Sequence, residues 1–131
     1  MKTQLNMFLI VLSLVFITCS SDDSNTEQNL KSSLLGTWKE VSPCESCSTI
    51  VIDGNDSIML NYSFDPETYK MIYKLRDSTM DVTRLWEVGD NKKMNTVKIT
   101  FKTKDTLLLD QFYAVDTGTT GFLDIVFKKI E

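Results

Sequence analysis

The chain has 131 residues, no histidine, three cysteines and a formal net charge of −4. With 42% hydrophobic and 24% charged residues, it has the composition of one small globular domain plus appendages. The missing histidine excludes Ser-His-Asp and Cys-His catalytic pairs and histidine-held zinc or haem. The acidic balance argues against nucleic acid, which needs a clustered basic surface.

In chain order the first element is apolar. Lys2 is the only charge before Asp22, and the 11 residues Met7–Ile17 (MFLIVLSLVFI) are apolar except for Ser13. A membrane-spanning helix needs about 20 such residues, so a positive start with a short apolar core reads as a secretory signal peptide. Thr18 then precedes Cys19, and Ser20-Ser21-Asp22-Asp23-Ser24 follows. This arrangement resembles a bacterial lipoprotein signal, in which cleavage falls before a cysteine whose sulfur has been acylated. The serine-plus-acid run resembles the signal that sends some Gram-negative lipoproteins to the cell surface. The resemblance implies a leader over 1–18, lipid attachment at Cys19, and an outer-membrane lipoprotein exposed at the cell surface.

Residues 20–33 are polar and read as a flexible tether, with at most a helical turn around Asn29 to Leu35. The expected domains are therefore 1–18 leader, 19–33 lipidated tether and 34–131 folded domain. Loss of Lys2 with the leader leaves 13 basic and 18 acidic residues, net −5, so the lipid rather than the charge has to make the membrane contact.

From Gly36 onward the hydrophobic period is two. Ile58, Leu60, Tyr62 and Phe64 alternate with Met59, Asn61 and Ser63, and Val97, Ile99 and Phe101 alternate with Lys98, Thr100 and Lys102. Such alternation predicts strands with one buried face. About eight strands are expected, near 37–43, 48–53, 57–64, 68–76, 79–88, 94–102, 105–114 and 121–130. Spacers such as DGND, DPET, RDST and KTKD are short enough to join antiparallel neighbours. Closure into an all-β, antiparallel up-and-down barrel removes both exposed edges; a sandwich is the alternative.

The stretch Leu34-Leu35-Gly36-Thr37-Trp38 opens the first strand. A Gly-x-Trp at that place in a small antiparallel barrel resembles the lipocalin superfamily, and in particular the short lipocalin-like domains of Gram-negative surface lipoproteins. The resemblance implies that Trp38 plugs the closed end of the barrel. In that family the tryptophan commonly packs against an arginine from a late strand, whereas here the last strand offers only Lys128 and Lys129, and the arginines lie at 76 and 84.

With Cys19 acylated, Cys44 and Cys47 remain, in Pro43-Cys44-Glu45-Ser46-Cys47. An even remainder in an exported chain favours a disulfide between the first two strands. A redox dithiol would ordinarily place its first cysteine at a helix N-terminus, and a metal site would need two further ligands from carboxylates alone. No metal and no cofactor is implied.

A cavity, if the barrel has one, would be lined by Tyr62, Tyr69, Met71, Tyr73, Trp86 and Phe101, together with Met80. Alternation puts Arg84 on the same inward face, where it could receive a ligand carboxylate; a bulge or strand end would instead let it reach solvent. Three triplets, Asp56-Ser57-Ile58, Asp77-Ser78-Thr79 and Asp105-Thr106-Leu107, resemble an O-glycosylation acceptor of some Gram-negative bacteria and are expected in accessible turns. The carboxylates fall mostly in turns such as Asp53-Gly54-Asn55-Asp56, Asp65-Pro66-Glu67 and Gly89-Asp90-Asn91, which bond local backbone. The expectation is a non-enzymatic, monomeric, membrane-anchored protein that binds a small hydrophobic ligand. The alternative is a surface module for a protein partner, with a packed barrel.

Overall fold

A computed structural model describes residues 22–85, 94–115 and 120–131. The leader, Cys19 and Trp86 lie outside the described residues. One helix, α1 (Asp22–Leu34), precedes eight strands: β1 (Gly36–Ser42), β2 (Ser48–Ile52), β3 (Ser57–Tyr62), β4 (Thr68–Arg76), β5 (Thr79–Arg84), β6 (Met94–Thr103), β7 (Thr106–Val115) and β8 (Thr120–Lys129). Each strand pairs antiparallel with the next, and β8 returns to β1, so the sheet closes as an up-and-down barrel. The expected fold class is the observed one, and the sandwich is set aside by the continuous pairing from β5 through β8.

The period-two pattern is realised strand by strand. In β4 Met71, Tyr73 and Leu75 are buried while Lys70, Ile72, Lys74 and Arg76 are exposed. The apolar stripes meet in one core that runs from Leu34 and Trp38 through Ile50, Leu60, Met71 and Val97 to Phe112 and Phe127. Strand β3 stops at Tyr62, short of the expected 64, because the chain turns there: the Asp65 amide reaches back to the Tyr62 carbonyl at 3.4 Å.

The N-terminal segment differs from expectation. Instead of one turn it forms the 13-residue helix α1. Local polarity is overridden by what the last turns reach: Leu34 is fully buried, Leu30 and Leu35 pack against the core, and Lys31 Nζ pairs with Asp56 at 2.5 Å. The Trp38 indole N–H then donates to the Leu34 carbonyl at 2.8 Å, satisfying an acceptor that the helix end leaves open. Gly36 makes the joint between helix and barrel. Its φ is +128°, and a Cβ there would collide with the Glu131 carbonyl oxygen.

Candidate functional site

The interior of the barrel has two different ends. Helix α1 and the turns at 53–56, 77–78 and 104–105 stand at one end, which we call closed; the connections at 43–47 and 63–67 stand at the other, open end. The core-facing residues toward the closed end are Trp38 on β1, Ile52 on β2, Ile58 on β3, Leu75 on β4, Met80 on β5, Phe101 on β6, Leu107 on β7 and Phe127 on β8, all apolar. Lys129, beyond Phe127 and opposite Trp38, shares their face. Trp38 lies between Phe101, at 6.1 Å between ring centroids, and the ammonium of Lys129, 5.1 Å from the ring. A cation over an indole face is attracted by the ring quadrupole, and the lysine stem covers the indole as well.

The open end is polar on the same inward face. From β1 to β6 the last inward residues are Glu40, Ser48, Tyr62, Tyr69, Arg84 and Asn95. Glu40 and Arg84 are buried, at 5% and 3% exposure. Charges so placed are tolerated only when bonded, and among the described residues no buried side-chain polar atom lacks a partner. Asn95, opposite the buried Val82, donates its side-chain amide to the Gln111 carbonyl at a bulge in β7.

Glu40 organises the disulfide loop. Its Oε2 accepts from the Ser48 hydroxyl at 2.6 Å, its Oε1 from the Cys44 amide at 3.2 Å, and its backbone carbonyl from the Ser46 amide at 2.9 Å. Cys44 and Cys47 form the expected disulfide, with Cα atoms 5.5 Å apart, and strand β2 begins directly after it rather than a helix. Beside this loop, Tyr62 stacks on Phe64 at 5.1 Å and meets the edge of Tyr69 at 5.8 Å. The Tyr69 hydroxyl donates to Asp65 Oδ2 at 2.5 Å, and the Glu67 amide to Oδ1 at 2.9 Å. These bonds, the tyrosine's first, hold the Asp65 carboxyl below its ordinary range.

The residues expected to line one cavity are divided between the two ends. Tyr62, Tyr69 and Arg84 stand at the open end; Met71 is fully buried in the wall. Phe101 joins Trp38 at the closed end. Tyr73 points its phenol to the closed end as well, 3.4 Å from the Asp53 carbonyl. Burial first, then the charges of Asp56 and Asp53, push that phenol up to about 12. Arg84 is inward and buried, as alternation has it, and Leu85 is the exposed neighbour. Glu40, Ser48 and Asn95 were not among the expected residues. Glu40 was within reach, since it shares the parity of Trp38, two positions earlier.

Of the three hydroxyl triplets, all sit at the closed end, but access is not common to them. Ser78 is exposed, Thr106 half-buried, and Ser57 is buried with its hydroxyl donated to Asp53 Oδ2 at 2.8 Å. The expectation of open access fails for Ser57 because that hydroxyl is what fixes the turn. Among the described residues no group of three or more Cys, Asp or Glu side chains is placed to hold a metal ion. Comparison of the chain with protein-family models, with curated proteins and with solved structures found no match.

Proposed function

We propose that this chain is a lipid-anchored, non-enzymatic, lipocalin-like lipoprotein of the outer membrane. Its open end takes up a small amphipathic molecule with an anionic head. The observation that carries the ligand reading is the contrast inside the barrel: one end is plugged by apolar side chains, the other presents Arg84 beside an aromatic wall. A guanidinium carries five donors in a rigid fork, so it can keep its place in the barrel wall and still bind a carboxylate or phosphate. Tyr62 and Tyr69 offer ring faces to the apolar part. Arg84 lies opposite Met71, two positions from Tyr69 on the same face, which brings head and stem contacts within one ligand's length.

The lipocalin-like reading draws support from Lys129. It is a late-strand cation packed on Trp38, at the place where the resemblance calls for an arginine. The absence of histidine and the turn positions of Asp53, Asp56, Asp65, Glu67, Asp77 and Asp105 support a non-enzymatic role. Acylation rests on Thr18-Cys19 and is tested by itself: the Cys19→Ser protein should leave the envelope fraction, and continued sedimentation with the envelope would refute anchoring.

The ligand reading is tested by native mass spectrometry of the mature protein, with a co-purifying small molecule as the expected result. Titration with long-chain fatty acids should give binding that Arg84→Ala weakens by tenfold or more, the order expected for losing a charge-assisted bond of about 1.5–3 kcal/mol. Unchanged binding in that variant would remove the role of Arg84.

A second reading has its own support. The closed half is filled by side chains with no accessible surface, among them Trp38, Ile58, Met80, Leu107 and Phe127. Among the described residues, four of the six exposed large apolar side chains, Val41, Phe64, Leu85 and Leu123, stand toward the open end, with Ile72 on the wall and Ile130 at the closed end. A module that docks a protein partner by this rim would show Phe64→Ser and Leu85→Ser impairing partner capture while Arg84→Ala does not.

A further inference from the structure

Four cations of the described surface face acids. Lys74 lies opposite Asp81 and Lys98 opposite Asp110 in the strand registers. Arg76 pairs with Asp81 at 2.9 Å, and Lys31 with Asp56 at 2.5 Å. The seam that closes the barrel breaks this pattern. Lys39 on β1 lies directly opposite Lys128 on β8, both exposed and both on the outer face. Such opposed residues have Cβ atoms about 5 Å apart, and like charges there destabilise the sheet.

The band continues sideways. Lys128 lies opposite Thr106 on β7, Thr106 opposite Thr103 on β6, and exposed Lys102 and Lys104 flank Thr103. Among the described residues none of these four lysines comes within 4.0 Å of a carboxylate. Asp105 and Glu131 are the acids beside this band; Asp53, Asp56 and Asp77 stand at the same end in the turns between β2 and β3 and between β4 and β5. In a chain whose mature form has 18 acidic residues against 13 basic, four such lysines in one band are a local reversal of sign.

Their position completes the argument. The chain that leads back to Cys19 enters the barrel at this end, through α1 and Gly36. A 13-residue helix is about 20 Å long, so an anchored barrel keeps this end within a few nanometres of the bilayer. Repulsion from the rest of the acidic domain is screened beyond about 8 Å at physiological salt, whereas lysines in contact with phosphates are not.

We infer that the β8–β1 seam, with Lys39, Lys128, Lys102 and Lys104, is a docking surface for anionic lipid headgroups of the anchoring membrane, and that it turns the open end of the barrel away from the bilayer. The inference rests on the lipid-anchor reading for its geometry, and its test is separate from that of acylation. The Cys19→Ser protein, which carries no acyl chain, is sedimented with phosphatidylcholine vesicles with and without phosphatidylglycerol.

The expected result is binding to the anionic vesicles only, abolished by high salt and not competed by soluble glycerophosphate at matched ionic strength. A lysine near an anionic surface contributes about fivefold in binding, so Lys39→Gln with Lys128→Gln should weaken it roughly 25-fold. The control pair Lys74→Gln with Lys98→Gln should leave it within about twofold. Thermal midpoints show that both pairs fold, and removal of the opposed charges should not lower that of the first. Equal binding to both vesicle types, an unchanged first pair, an equal loss in the control pair, or full competition by glycerophosphate would each overturn the inference.

Discussion

The two ends of this barrel are made by the same strands with the same alternation, yet they hold opposite chemistry. At the closed end the core residues of every strand are apolar and the core is sealed by α1 and by Trp38, with Lys129 over its ring. At the open end the equivalent positions on β1 to β6 carry a carboxylate, a hydroxyl, two phenols, a guanidinium and an amide. Closure of the sheet needs only that every inward position be buried and satisfied. The barrel therefore separates two kinds of packing along its axis, with apolar side chains concentrated at one end and bonded polar side chains at the other. Substitutions that confuse the two ends test that separation.

The largest effect is expected at the plug. Trp38→Ala removes an indole with no accessible surface, its contact with Phe101, and the donor to the Leu34 carbonyl. The cost should be about 3–5 kcal/mol in urea unfolding, with α1 losing its hydrogen-exchange protection together with the barrel. Next comes Gly36→Ala, where a side chain meets backbone oxygen at positive φ. A loss of about 1–3 kcal/mol is expected, and an unchanged midpoint would mean that the C-terminus has no fixed place against β1.

At the open end Glu40→Ala should cost about 1–3 kcal/mol by stranding the Ser48 hydroxyl and the Cys44 amide. Glu40→Gln, which keeps an acceptor, should cost less. The loop should show the difference directly: exchange at the Cys44 amide quickens in both variants, while α1 stays protected. If exchange quickened equally in α1, the two ends would be one cooperative unit and not two.

Much of this division could be read from the sequence, and the reason is geometric. Alternation needs only parity and the turn spacers mark the strand ends, so strand number and antiparallel order are legible. For Arg84, parity leaves an inward place and a bulge to solvent both open, and the register of β5 settles it. The same parity places Glu40 inward with Trp38, a consequence overlooked because a glutamate is expected outside. What parity cannot give is position along the barrel axis, which depends on register and tilt. Tyr73 and Tyr69 share a face on β4, yet the phenol of one reaches Asp53 at the closed end and that of the other Asp65 at the open end. Helix α1 was hidden for another reason. Its polar stretch is ordered by contacts to residues far along the chain, chiefly the core that Leu34 enters and Leu30 packs against. Asp56 pairs with Lys31 as well, and no local window contains these contacts.

The smallest effects, and the finest comparison, come from pH. Asp53 in the closed-end turn and Asp65 in the open-end turn are both held below the usual 3.8, the first chiefly by the Ser57 hydroxyl and the second by Tyr69. A lowered carboxyl stabilises the fold above its unfolded pKa, and that contribution is lost as pH falls through the folded value. Stability should therefore decline below about pH 4, and Asp53→Asn and Asp65→Asn should each flatten the acid limb.

Tyr73 works in the other direction. Its phenol, raised from 10.0 to about 12, contributes stability below pH 10 that is lost as pH climbs through 12. Tyr73→Phe should abolish that alkaline loss. Because burial outweighs the two aspartates as the cause of the shift, Asp53→Asn should lower the Tyr73 titration only part of the way. Tyrosinate absorbance, read as the difference from Tyr73→Phe, measures this. A full return to 10 would show that water reaches the phenol, and the closed end would then be no better sealed than the open one.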